Sequence, residues 1–214
     1  MKQLLFISTI ICTSFLISCT ETPKQSNEKL VSEYSSHPTP KTPAAQNDDY
    51  VVMALSKLVL TSLKNKDYKT FAGLIHPTLG VRFSPYAYVD TASDLTFKAT
   101  TFEQEMAQKK KTNWGAYSAE EEDIVMTGAE YFAVFVYNAD FLNAEKHLLN
   151  EIIGQSTTIN NLKEVYPDCP FTESYFSGFD KKFDGMDWCS LRLVFKKHID
   201  KYYLVGVVHD NWTT

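Results

Sequence analysis

Arg82, Tyr86, Tyr88 and Asp90 crowd one short segment, and His209, Asp210 and Trp212 stand near the other end of the chain. These residue types can do chemistry. A guanidinium anchors a carboxylate or phosphate through paired donors. Tyrosine and tryptophan line pockets with apolar faces and polar edges. Histidine serves as a general base, a carboxylate orients it, and a tyrosine hydroxyl donates to a developing oxyanion. Three readings follow. In the first, Arg82, Tyr86, Tyr88, Trp114, His209, Asp210 and Trp212 line a pocket that captures a small molecule, with Arg82 as its charged anchor. In the second, the same pocket is catalytic: His209 is the base, Asp210 or Asp140 orients it, and Tyr86 or Tyr88 is the donor. In the third, there is no pocket chemistry and the domain presents a surface to another macromolecule. Each residue also has an ordinary use, as a core aromatic, a structural His–Asp hydrogen bond, or an arginine paired with an acid on the sheet.

Several chemistries are excluded by pattern. The sequence has no HExxH, GxSxG, CxxC or glycine-rich phosphate loop. His37, His147 and His198 are scattered, so neither a metal nor any other cofactor is expected. Glu120-Glu121-Glu122-Asp123 lacks the alternating oxygen ligands and the glycine of a calcium loop and reads as solvated charge, as does Lys109-Lys110-Lys111. The net charge of −5 argues against a nucleic-acid partner, which would need a broad cationic face. With 44% hydrophobic and 14% aromatic residues, the chain can build a core.

The elements that must position these residues are legible in part. Asp48 and Asp49 can cap a helix with Val51, Leu55, Val59 and Leu63 on one face, and Asp67 a second with Tyr68, Phe71, Leu74 and Ile75, ended by His76-Pro77. Leu79 to Asp90 reads as strand, turn and short strand, Leu95 to Ala99 as an extended piece, and a helix runs from Thr100 or Thr101 through Met106. Asn113 to Asp123 reads as a loop. Thr127-Gly128-Ala129-Glu130 matches a capping box opening a helix with Tyr131, Phe132, Phe135 and Val136 on one side. Phe171 to Phe176 is a strand. Trp188 to Lys197 alternates Cys189, Leu191, Leu193 and Phe195 against Ser190, Arg192 and Lys196, and Tyr202 to Val208 returns as its hairpin partner. Side-chain alternation puts Val205, Val207 and His209 on one face of that last strand, so His209 or Asp210 should come within reach of the Arg82–Tyr88 segment. The fold class is α+β: N-terminal helices packed in a curved antiparallel sheet that ends in a long hairpin.

Met1 to Ser18 carries one lysine and an apolar run too short to span a bilayer, which reads as an export signal. It ends in Leu16-Ile17-Ser18-Cys19, which resembles the lipobox of bacterial lipoproteins. The resemblance implies that Cys19 is lipidated by acyl chains such as palmitate and becomes the first mature residue; an ordinary signal with a chance cysteine is the alternative. The protein would then be a lipid-anchored membrane component of the bacterial cell envelope, with Glu21 favouring the outer membrane. Residues 19–49 are polar and proline-rich and read as a disordered tether spanning about 30 Å, and residues 50–214 as one globular domain. Cys169 and Cys189, in an exported chain, read as a disulfide or as two buried thiols.

Ala54-Leu55, Lys66-Asp67-Tyr68, Phe71 and Leu74-Ile75-His76-Pro77 resemble the opening of nuclear-transport-factor-like domains. That resemblance implies a curved antiparallel sheet wrapped round helices, a cone-shaped pocket, and either ligand binding or cofactor-free isomerase or dehydratase chemistry. Val81 to Val89, Trp114-Gly115, Tyr131 to Phe141, Gly185 to Trp188 and Tyr203 to Trp212 resemble a group of bacterial exported and lipoprotein domains that has no assigned activity. The implied function is a membrane-anchored ligand-binding or envelope-interaction domain, with a small molecule or an envelope protein as partner.

Overall fold

The computed structural model describes residues 43–117 and 122–212; Cys19, the signal, most of the tether and part of the acidic run lie outside them. The first helix, α1, spans Pro43–Lys64 and so begins inside the stretch read as tether. Asp48 does not cap it; its carboxylate accepts from Tyr202 (3.1 Å) and Lys197 (3.4 Å). The buried face of α1 is Val52, Ser56, Val59, Leu60 and Leu63, while Val51 is exposed. Ser56 sets this rotation by bonding Thr172 across the core (2.8 Å). Helix α2, Tyr68–Leu74, is capped by Asp67, whose side chain accepts from the Thr70 amide.

The chain leaving α2 runs alongside the last strand. The His76 amide donates to the Leu204 carbonyl (2.9 Å), and β1, Val81–Ser84, pairs in parallel with β8, Lys201–Asn211. Every other pairing in the six-stranded sheet is antiparallel, in the order β2-β1-β8-β7-β6-β5. Here β2 is Thr96–Phe97, β5 Lys146–Leu149, β6 Phe171–Phe176 and β7 Cys189–His198. Between them come α3, Ala99–Ala107, and a separate ribbon of β3, Thr112–Ala116, with β4, Asp123–Met126, where the sequence suggests only a loop. The Thr127 capping box forms and opens α4, Gly128–Tyr131, which runs on into a π-turn over Phe132–Val136. The short α5 spans Leu162–Val165. Among the described residues no helix is long and apolar enough to cross a membrane.

The β7–β8 register shifts between Val194 and Phe195, a bulge that bends the hairpin. It also resets the alternation of β8. Leu204 and Val207 join the core under the helices, while Val205 and Val208 join a second cluster with Val89, Leu162, Phe171 and Val194. Simple alternation had placed Val205 with Val207. Both faces of the sheet are therefore covered: one by the helices, the other by the 150–170 segment. The helix side is packed with rings, Phe71 on Phe102 (4.8 Å between centroids) and Phe83 on Phe132 (5.1 Å), where the resemblance implies a cone-shaped pocket.

Cys169 and Cys189 are both free thiols, not a disulfide. The Pro170 carbonyl accepts from the Phe195 amide, so Cys169 lies near that end of β7, whereas Cys189 begins the strand. Six residues of strand separate the two ends by about 20 Å, far beyond disulfide reach. Burial pushes the Cys189 thiol up to about 12.

Candidate functional site: a tyrosine-walled cleft over Asp94

The chain after β1 turns on two aspartates. Asp90 Oδ1 accepts from the amides of Ala92 (2.9 Å) and Ser93 (3.3 Å), and Oδ2 from the Ser93 hydroxyl (2.7 Å). Asp94 closes the turn. Its amide donates to the Asp90 carbonyl, and its carboxylate accepts from the Asp90 amide (2.9 Å) and the Ser84 hydroxyl. Asp94 is only 8% exposed. Burial pushes it up to about 6; the Ser84 and Asp90 hydrogen bonds and the Arg82 charge pull the other way without overcoming burial.

Arg82 does not anchor a ligand here. Its Nη1 donates to the carbonyls of Asp94 (2.9 Å), Thr91 (3.3 Å) and Asp90 (3.4 Å), so it staples the turn. It also faces the Tyr166 hydroxyl, in a separate depression that includes Lys196.

Over Asp94 opens a cleft of about 460 Å³, walled by Pro85, Tyr86, Tyr88 and Tyr117 and closed on the far side by Thr157, Thr158 and Ile159. Gly115 carries β3 past it at φ +117°, a backbone conformation that glycine tolerates and other residues resist. Beneath lies Tyr131, whose buried hydroxyl has no partner. Burial holds its pKa well above the ordinary value, with Asp94 and Tyr86 adding to the effect.

The remaining expected site residues lie elsewhere. Trp114 is core: it stacks on Tyr131 at 3.9 Å, and its Nε1 donates to the Met126 carbonyl. Trp212 lies beyond β8 and is 42% exposed. Asp140 sits on the surface with Lys64 (2.6 Å) and Tyr137 (2.8 Å). His209 does reach the early segment, 3.1 Å from the Pro85 carbonyl. A carbonyl only accepts, so Nδ1 carries the proton and Nε2 is a bare acceptor. That Nε2 is buried and unpartnered against Phe135, and His209 does not line the cleft. Burial holds its pKa down to about 4, with Arg192 adding to the effect.

Asp210 points to the opposite face of the sheet, into a charged triad that the sequence reading missed. Arg192 Nε donates to Glu173 (2.9 Å), and its Nη2 donates to Asp210 (2.9 Å) and to the Gly154 carbonyl (2.7 Å). The amides of Ile153 (2.5 Å) and Gly154 (3.4 Å) donate to Glu173. All three charged side chains are at most 1% exposed. Gly154 permits the approach, since a Cβ there would stand 2.6 Å from the Trp188 ring.

Of the expected pocket, then, Tyr86 and Tyr88 line the cleft, and Asp94 and Tyr117 were missed. Asp90-Thr91-Ala92-Ser93-Asp94 has the composition of a solvated turn, and nothing in it marks the second aspartate as turned inward. Among the described residues no group of three or more His, Cys, Asp or Glu side chains could hold a metal ion.

No family model matches the chain, and no curated protein matches it. Among solved structures it is similar to Aln2 from a Streptomyces species, at 12% identity and a TM-score of 0.36, covering 81% of this chain and 94% of that one. It is also similar to Rd1NTF2_05 carrying five substitutions, at 12% identity and a TM-score of 0.31, covering 76% and 98%. Likenesses this distant transfer neither fold nor activity to the chain.

Proposed function

We propose that the domain is a ligand-binding module of the nuclear-transport-factor-like kind, held at the bacterial envelope by lipid on Cys19. The fold reading is supported by the two opening helices and by the final hairpin, whose last strand lies inside the sheet beside β1. One observation carries the binding reading: a nearly buried carboxyl at the floor of an open, tyrosine-walled cleft. With a pKa near 6, Asp94 is mainly an ionised acceptor at neutral pH and gains a donor proton as the pH falls through about 6. The ligand that suits it has an aromatic or aliphatic body for Tyr86, Tyr88 and Tyr117 and one hydrogen-bonding head for Asp94. Catalysis through His209 lacks this support, because its free nitrogen opens on the ring core rather than on the cleft.

A small-molecule screen by thermal shift, followed by titration, tests the cleft. Hits should lose about tenfold in affinity in Tyr117→Ala and change their pH dependence in Asp94→Asn. Hits that bind both variants like the wild type would place the site elsewhere. For the anchor, Cys19→Ser should leave the precursor unprocessed or release the chain from the membrane fraction; processing and fractionation like wild type would refute it.

A further inference from the structure

The outer face of the sheet holds a second cavity, of about 370 Å³, with Asp210 in its lining. Two carboxylates, Glu173 and Asp210, share the single guanidinium of Arg192 there. The group carries a formal excess of one negative charge in a water-poor interior, which is costly unless a cation answers it. Three buried atoms of this cluster have no hydrogen-bond partner: Asp210 Oδ1, the neighbouring Ser190 hydroxyl and the Arg192 Nη1 donor. Lys163 stands on the rim, but its ammonium lies over the Phe171 ring, 5.9 Å from the centroid. The rest of the wall includes Gln155, Ser156, Asn160 and Glu164, which offer hydroxyl, amide and carboxylate oxygens.

We propose that this cavity binds a small organic ammonium ion, with the charged nitrogen set on Asp210 Oδ1 and the surrounding oxygens taking its remaining protons. An ammonium nitrogen needs acceptors in several directions, and this wall supplies them. Water, at about 30 Å³ per molecule, can fill a cavity of this size with several molecules, but it cannot balance the charge. Burial raises the Asp210 pKa, with the Glu173 charge adding to the rise, while Arg192 and the Ser156 hydroxyl pull it down.

Titrating the full chain in detergent with putrescine and with butane-1,4-diol isolates the charge, since the two share a carbon chain. Putrescine should bind about tenfold more tightly, the margin of a charge-assisted hydrogen bond. Glu164→Gln should weaken it and Lys163→Gln should tighten it, each by about threefold, and Gln155→Trp should block it. Opposite responses at two exposed rim positions cannot come from general unfolding, so the result stands even if Asp210→Asn fails to fold. Equal affinity for the diol and the diamine, no putrescine binding at millimolar concentration, or indifference to both rim changes would overturn the proposal. None of these variants touches the Asp94 cleft, so failure here and failure of the cleft reading are separately visible.

Discussion

Arg192→Met should destabilise the folded domain by about 3–5 kcal/mol, read as a fall in the denaturant midpoint at neutral pH. The side chain is fully buried and holds three partners at once: Glu173, Asp210 and the Gly154 carbonyl. Methionine is close in size, so the loss comes from two carboxylates left without their cation rather than from a void. Those carboxylates can escape by binding protons, and their folded-state pKa values then rise. The penalty should therefore shrink as the pH falls, because the protonated acids no longer bury charge. Adding Glu173→Gln and Asp210→Asn should recover much of the loss at neutral pH. A penalty below about 1 kcal/mol, the range of an exposed ion pair, or one independent of pH, would show that the triad does not hold the 151–158 loop to the sheet.

That triad also shows where the sequence stops being legible. Alternation along β7 correctly divides Leu191, Leu193 and Phe195 from Ser190, Arg192 and Lys196. A polar row suggests a face in water, and at Lys196 that holds. At Ser190 and Arg192 it fails, because the 150–170 segment folds over the outer face, and that segment has no helical or strand period to announce its role. The hairpin, the Asp67 cap and the Thr127 capping box were readable because each is set by residues close in sequence. The bulge at Val194/Phe195 and the parallel β1–β8 pairing depend on distant partners, so the faces of β8 and the split of the expected pocket into several surfaces were not readable. Tyr86 and Tyr88 could be picked out by type, but Tyr117, in a stretch read as loop, was not. Asp94 could not, since its inward turn follows from Ser84 and from the Asp90 amide rather than from its neighbours' composition.

Asp94 and His209 should give the domain two opposed pH dependences that nearly cancel over the same interval. Asp94 is raised from 3.8 to about 6 in the folded state. Its contribution is fully present below pH 3.8 and is lost as the pH rises through about 6, because the folded site then has to hold a buried charge. His209 is lowered from 6.5 to about 4. Its contribution is fully present above pH 6.5 and is lost as the pH falls through about 4, because the unfolded chain takes up the proton first. Each shift corresponds to about 3 kcal/mol across its window. Removing one group should expose the other. Asp94→Asn should make the domain more acid-labile than wild type between pH 6.5 and 4, and His209→Gln, which keeps a donor for the Pro85 carbonyl, should make it less acid-labile than wild type over the same fall. Both variants will carry a constant offset from lost packing and hydrogen bonds, so the slopes of unfolding free energy against pH decide the matter, not the midpoints at one pH. His76 and His147 are also lowered by burial and Asp210 raised by it, but they remain in wild type and variant alike and drop out of the difference. Parallel slopes for wild type and both variants would mean that neither group titrates as its burial requires, and would remove the case for an Asp94 that titrates near pH 6 at the floor of the cleft.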